Sequence, residues 1–328
     1  MDKFLRIIGP NEYENYLRES IYKYIPRNIL HTFQEKIKPR AVCNYIDEDT
    51  KETVGYGIGI FLDENKLTRE EYVDRIINSI KILKEQDLYK NVEYLVMDNI
   101  KLGYDDIKRI QEKSNIKIPD AKSYFIENII QLLSKICNAK NKDLQEQEIL
   151  IISDDTNDTE DIVVDISSNI KYLTIYSHNE EFGKNLERIV LEDTGLSLHI
   201  TKNIDKLMGN VDFIINLCED VRIDIKKIKK YTVLIDISKN KVLSRDTEHD
   251  RKKIMLIDDL FFRNDRKIYS EVKDYDLNKE LNTSLSKFFK NSNKDIVKLK
   301  IYDKIYSVQQ GVSDYSFQKR NISPFDGK

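Results

Sequence analysis

The sequence predicts an α/β protein: an N-terminal α/β domain followed by a doubly wound parallel-sheet domain. Three observations carry that expectation. Short apolar runs at 149–153, 172–176, 197–200, 211–216, 232–237 and 254–257 alternate with helical patterns near 159–168, 180–193, 203–208 and 223–229. Buried strands that alternate with helices form parallel sheets. The first 137 residues instead combine three strand patterns with amphipathic helices, and the charged stretch NAKNKDLQEQE (138–148) separates the two regimes. The expected domains are 1–140, 141–270 and a C-terminal helix and tail over 271–328.

Taken in order, residues 11–24 read as a helix with Tyr13, Leu17, Ile21 and Tyr24 on one face. AVCNYID (41–47) and GYGIGIFL (55–62) read as strands joined by the polar turn EDTKET. Thr68 and Glu71 form a capping box ahead of a helix whose apolar face is Tyr72, Ile76, Ile80 and Leu83. EYLVMD (93–98) is a buried strand, and a helix follows over 104–113. Asp120 is placed to cap a helix with Phe125, Ile129, Leu132 and Ile136 on its core face. Near the end, Leu277, Leu281, Leu285 and Phe288 mark a helix over 276–290.

The 328 residues include 54 Lys+Arg and 57 Asp+Glu, a net charge of −3. That balance argues against a nucleic-acid or membrane partner. No apolar run approaches the ~20 residues of a membrane span, and the N-terminal apolar stretch is too short for a signal peptide. The expected location is the cytoplasm. Cys43, Cys137 and Cys218 are too far apart for a metal motif or a disulfide framework and read as buried thiols. His31, His178, His199 and His249 lack metal-ligand spacing. DDTNDTEDIVVD departs from a calcium loop, with Thr159 where glycine is needed and Asp165 where glutamate is needed. No metal is expected.

The order of elements resembles the superfamily of shikimate dehydrogenase and glutamyl-tRNA reductase, whose second domain is Rossmann-like and binds NAD(P). The segments GYGIGIFL, YLVMDNIKLGYDD, IPDAKSYFIENIIQLL and KYLTIYSHNEEFGKNLERIVLEDTGLSLHITKNIDKLMGNVDFIINL resemble its long-chain acyl-carrier-protein reductase branch and the bacterial relatives of that branch. The likeness spans roughly 40–265. It implies an NAD(P)-dependent oxidoreductase, an acyl-thioester reductase or a shikimate dehydrogenase-like enzyme. The branch's C-terminal cysteine nucleophile has no counterpart, since no cysteine follows Cys218.

The resemblance also places the family's phosphate-binding glycines at Ser153, Thr156 and Thr159, within ILIISDDTNDTEDIVVDIS. Glycines serve there for a tight turn, close approach of the pyrophosphate and close helix–strand packing. Between 149 and 182 there is none. Asp154, Asp155, Asp158, Glu160 and Asp161 crowd the helix start, where a dinucleotide would present phosphate, and Asp158 or Thr159 is expected to cap the helix. The next strand ends in SHN instead of an acid for the ribose or an arginine for the NADP phosphate. His178 reads as an exposed loop residue. The expectation is a degenerate site with no cofactor and no catalytic residues: a pseudoenzyme with a binding or regulatory role, as a homodimer or with a protein partner. If NAD or NADP binds after all, Ser153, Thr156, Thr159 and His178 are the residues that would meet it. GYGIGI is not a second nucleotide site, because the next helix starts too far on for a phosphate-gripping turn.

Overall fold

The computed structural model describes residues 2–20, 23–24, 26, 36–62, 67–97, 102–238, 241, 243, 254–272, 277, 279–291, 293–302 and 304–316. In chain order its elements begin with β1 (Phe4–Ile7), α1 (Pro10–Ser20), β2 (Arg40–Asp47), β3 (Thr53–Gly59), α2 (Arg69–Lys84), β4 (Tyr94–Val96), α3 (Tyr104–Ser114), α4 (Ala121–Ile126) and α5 (Ile129–Ala139). There follow β5 (Glu148–Ile152), α6 (Asn157–Ser167), β6 (Tyr172–Tyr176), α7 (Glu180–Thr194), β7 (His199–Thr201), β8 (Phe213–Asn216), β9 (Val233–Asp236) and β10 (Met255–Arg263). The last are β11 (Ile268–Ser270), β12 (Glu280–Asn282), α8 (Thr283–Phe289), β13 (Ile296–Ile301), β14 (Lys304–Ser307) and α9 (Val308–Ser316).

Two compact units result. One is Met1–Asp120 with Arg263–Asn293; the other is Ala121–Phe262 with Lys294–Lys328. The sequence puts its boundaries at 140/141 and 270/271 instead. The shift has a packing reason: Ile129, Leu132, Leu133 and Ile136 of α5 join the core that holds β5 and α6. The charged stretch 138–148 is therefore an internal connection of the second unit.

In the first unit the sheet order is β11-β2-β3-β1-β4. β1 runs parallel to β3 and β4, while β2 is antiparallel to β3 and β11 to β2. Leu5 and Ile7 of β1 pack with Tyr72, Val73, Ile76 and Ile80 of α2, and Phe4 packs on the other face with Leu285 and Phe289 of α8. The capping box of Thr68 and Glu71 forms as expected. The glycines of GYGIGI are packing positions. A Cβ on Gly55 would sit 2.3 Å from the Phe4 ring, on Gly57 2.5 Å from Cys43 Sγ, and on Gly59 2.0 Å from the Tyr13 ring.

Two sequence expectations change here. Helix α1 ends at Ser20, and Tyr24 is 90% exposed; Ile21 lies outside the described residues, as do Asp98 of the expected strand 93–98, His31 and His249. The expected helix 276–290 is β12 followed by the short α8, with residues 276 and 278 outside the described set. Asn282 stops any earlier start, because its side chain accepts the Leu285 amide as an N-cap.

The second unit is a doubly wound sheet. Its path runs β14-β13-β10-β9-β8-β5-β6-β7. From β7 to β10 all pairs are parallel. Numbered from β5, these six strands stand in the order 3-2-1-4-5-6 of dinucleotide-binding folds. β13 and β14 then extend the sheet antiparallel from β10, so the tail after 292 contributes strands. One face carries α4 to α7 and α9 over Ile149, Ile151, Phe213, Ile215 and Ile235. The other face is covered by Ile204, Met208, Val211, Ile225 and Ile228, which lie in turns and one 3₁₀ segment, Ile225–Lys227. The expected helices at 203–208 and 223–229 are thus absent as α-helices. Residues 202–212 alone must cross from β7 to β8, near the minimum for a crossover, and contain Gly209 and Asn210.

Candidate functional site

The candidate site lies where the strand order reverses, at the C-terminal ends of β5 and β8. Open α/β sheets bind ligands at that point. The strand EILII is fully apolar after Glu148, and its ladder runs one residue further, the Ser153 amide donating to Tyr176 O at 3.0 Å. The chain then turns through Asp154 and Asp155 into α6.

Asp155 adopts φ +55°, the left-handed region that glycine enters most easily. Its carboxylate holds the turn: Oδ1 accepts from Ser153 Oγ and Ser177 Oγ, both at 2.7 Å, while the Asp155 amide donates to Ser153 Oγ at 2.8 Å. Asp154 is the centre of a second set of bonds. Its Oδ1 accepts from Thr156 Oγ1 at 2.7 Å and Thr159 Oγ1 at 2.8 Å, and its Oδ2 accepts from Lys122 Nζ at 2.7 Å. Lys122 also pairs with Asp158 at 2.8 Å. The Lys122 and Asp154 side chains are only 7% and 14% exposed, so this is an ion pair largely withdrawn from water.

The electrostatics follow from those contacts. Burial opposes the charged form of Asp154, but the bonds from Lys122, Thr156 and Thr159 outweigh it and hold its carboxyl below the usual range. Burial likewise opposes the Lys122 ammonium, and Asp154 and Asp158 outweigh that and hold it above its usual value.

Ser153 and Thr159, two of the three expected glycine positions, are brought into one network and are buried; Thr159 has no exposed surface. Thr156 joins through Asp154. His178 stands outside that network. It is exposed, and its Nε2 lies 2.7 Å from Tyr176 Oη. The residue at the end of β6 that does join is Ser177, through Asp155. The helix cap is a correction: α6 starts at Asn157 with Thr156 as N-cap, not Asp158 or Thr159, and no side chain caps it. The Thr156 hydroxyl is committed to Asp154 instead.

Sequence reasoning missed Lys122, which compensates two of the five acids from a helix outside the 149–182 stretch. It also missed the ends of β8 and β9. Asn216 Nδ2 donates to Asp236 Oδ1 at 3.0 Å, and Ser238 Oγ donates to the same oxygen at 2.6 Å, all three residues being fully buried. A signal existed: each is among the first polar residues after an apolar run, in FIIN and VLIDIS. Cys43 and Cys137 are buried, and Cys137 is pushed up to about 11 by that burial, which leaves no thiolate for chemistry near neutrality. Among the described residues no group of His, Cys, Asp and Glu is arranged to hold a metal ion.

At this turn Ser153 and Thr159 are buried, and the Asp154 carboxylate engages Lys122 and both threonine hydroxyls beside the helix start.

No protein-family model matches the chain, and no curated protein matches it. Among solved structures, L-tryptophan dehydrogenase from Nostoc punctiforme is similar at 12% identity over 78% of this chain and 69% of that one, TM-score 0.32. Quinate dehydrogenase from Corynebacterium glutamicum in complex with NAD is similar at 9% identity over 72% and 79%, TM-score 0.28. Ornithine transcarbamoylase from Giardia lamblia is similar at 10% identity over 72% and 72%, TM-score 0.29. Likenesses of this size assign no reaction to the chain. Among the described residues no helix is long and apolar enough to cross a membrane.

Proposed function

We propose that this chain is a cytoplasmic, non-catalytic protein that binds or regulates through a second copy or a protein partner, on a dehydrogenase-like scaffold whose dinucleotide seat is closed by its own side chains. The observation that supports this reading is the Asp154 clasp. A carboxylate held by Lys122, Thr156 and Thr159 sets a negative charge beside the start of α6, where a bound phosphate would bring its own. The rival reading is an NAD- or NADP-dependent oxidoreductase with an atypical cofactor loop. The complete 3-2-1-4-5-6 strand order and the buried Asn216–Asp236 pair at the strand ends favour it.

Calorimetry separates the two. The unmodified chain should give no heat of binding with NAD or NADP at millimolar concentration. Ser153→Gly, Thr156→Gly and Thr159→Gly combined with Asp154→Asn and Asp155→Asn should give weak binding, because Lys122 then has an ammonium to offer a phosphate. Micromolar binding by the unmodified chain, lost when Ser153 or Thr156 is replaced by a bulky residue, would establish the oxidoreductase instead.

A further inference from the structure

The opposite end of the same sheet holds a cluster of amines with too few anions. Lys140 closes the C-terminus of α5. Its Nζ donates to Tyr231 O at 3.3 Å and lies 5.6 Å from the centre of the Phe213 ring. Among the described residues no carboxylate is within ion-pair distance of it. The nearby acid, Asp212, is already shared: its Oδ1 lies 3.6 Å from Lys142 Nζ and 3.1 Å from Lys229 Nζ, and its Oδ2 accepts the Glu148 amide at 3.3 Å. Cys137, the other titratable group facing Lys140, is a neutral thiol. Three ammonium groups therefore surround one carboxylate. By contrast, the shielded Lys122 has Asp154, and the half-buried Lys135 has Asp295.

We infer that Lys140 is a carbamylation site, whose amine takes up carbon dioxide to become an anion between Lys142 and Lys229. The neutral amine attacks the carbon of CO₂ and a C–N bond forms. One C=O electron pair moves onto oxygen, and a proton leaves the nitrogen for water. The product is Lys–NH–COO⁻, and no oxidant or reductant is needed. The reaction requires free amine, and this site supplies it. Burial first, and then the charge of Lys142, bring Lys140 down to about 8. At pH 7.5 about a quarter of it is neutral, against about a thousandth of an ordinary lysine. The product also repairs the charge. A cluster with two positive charges in excess becomes balanced, and the carbamate N–H can still donate to Tyr231 O while the aliphatic stem stays over Phe213.

The test is ¹³C NMR of the full chain in ¹³C-bicarbonate at pH 7.5. An unblocked amino terminus gives one carbamate resonance as an internal reference. A second resonance is expected, absent in Lys140→Arg and at least several-fold weaker in Lys229→Ala, which removes a stabilising cation. To keep the outcome independent of how the variants fold, the carbamate of the unmodified chain is trapped with a trialkyloxonium reagent and mapped by mass spectrometry. An adduct on the Lys140 peptide supports the assignment. An adduct confined to the amino terminus or to other lysines, no second resonance, or one that survives Lys140→Arg overturns it.

Discussion

Replacing Lys122 by Met keeps the aliphatic stem and removes the ammonium, leaving Asp154 as a shielded carboxylate with only two hydroxyl donors. Breaking a buried pair from one side costs about 3–5 kcal/mol. The retained bonds from Thr156 and Thr159 reduce that, so a loss of about 2–4 kcal/mol is expected at pH 7. Asp158, with a side chain 42% exposed, adds little because water screens it. The pH dependence has a definite sign. Asp154 is held below its usual value, so its contribution is full above the unfolded carboxyl value near 3.9 and fades as pH falls through the folded one. Lys122 is held above its usual value, so its share is full below about 10.4 and fades as pH rises through the folded value. The deficit of Lys122→Met should therefore be full at neutral pH and shrink as pH falls, because the variant's shielded carboxyl, without Lys122, takes up its proton before the parent's does. The chain has no tryptophan. Urea unfolding is best followed by pulsed hydrogen exchange of peptides from β5 and α6, which reports the second unit alone. Asp154→Asn and the double variant complete the cycle, and the double variant should recover at least half of the single-variant loss. Midpoints equal to the parent at pH 7, or a deficit that persists undiminished at pH 3.5, would refute the reasoning.

Thr159→Val, which removes only a buried hydroxyl, should cost about 1–3 kcal/mol by the same exchange assay, and Thr159→Ser much less. Gly59→Ala drives a methyl to 2.0 Å from the Tyr13 ring and should lower stability by at least about 1–3 kcal/mol in thermal melts. Gly209→Ala, whose Cβ would meet only Lys227 O at 3.9 Å, should leave the melting temperature unchanged. With a thiol-reactive chromophore, the half-buried Cys218 should react first, while the buried Cys43 and Cys137, both raised by burial, should react only as the chain unfolds.

The second unit was legible because its strands are short, apolar runs at regular spacing; β5, β6 and β8 fall within two residues of their expected bounds. The first strand was not. FLRI (Phe4–Ile7) is four residues long and contains Arg6, yet it lies between β3 and β4 as a central strand. Its status is decided by long-range pairing that periodicity cannot display. The loop chemistry was half legible. The missing glycines and the gathered acids are local facts, whereas the ammonium that steadies them comes from Lys122, more than thirty positions earlier. The same holds at the end of α1: Tyr24 continues the helical spacing, but the chain has already left the helix. Local pattern gives the elements; the partners of polar groups are set by the tertiary fold.

The connectivity of the first unit bears on how the protein is made. That unit lacks β11 and α8 until residues 263–293 have been synthesised, and the whole of 121–262 emerges in between. A nascent chain that stops at 120 carries β2 without its edge partner and Phe4, Cys43 and Tyr45 without Leu285 and Phe289. During translation at about 5–20 residues per second, that surface stays uncovered for roughly ten to thirty seconds, while the later parallel sheet can already assemble. The part of the chain that is born first is thus finished late, and a holdase chaperone would find its binding surface on the early half.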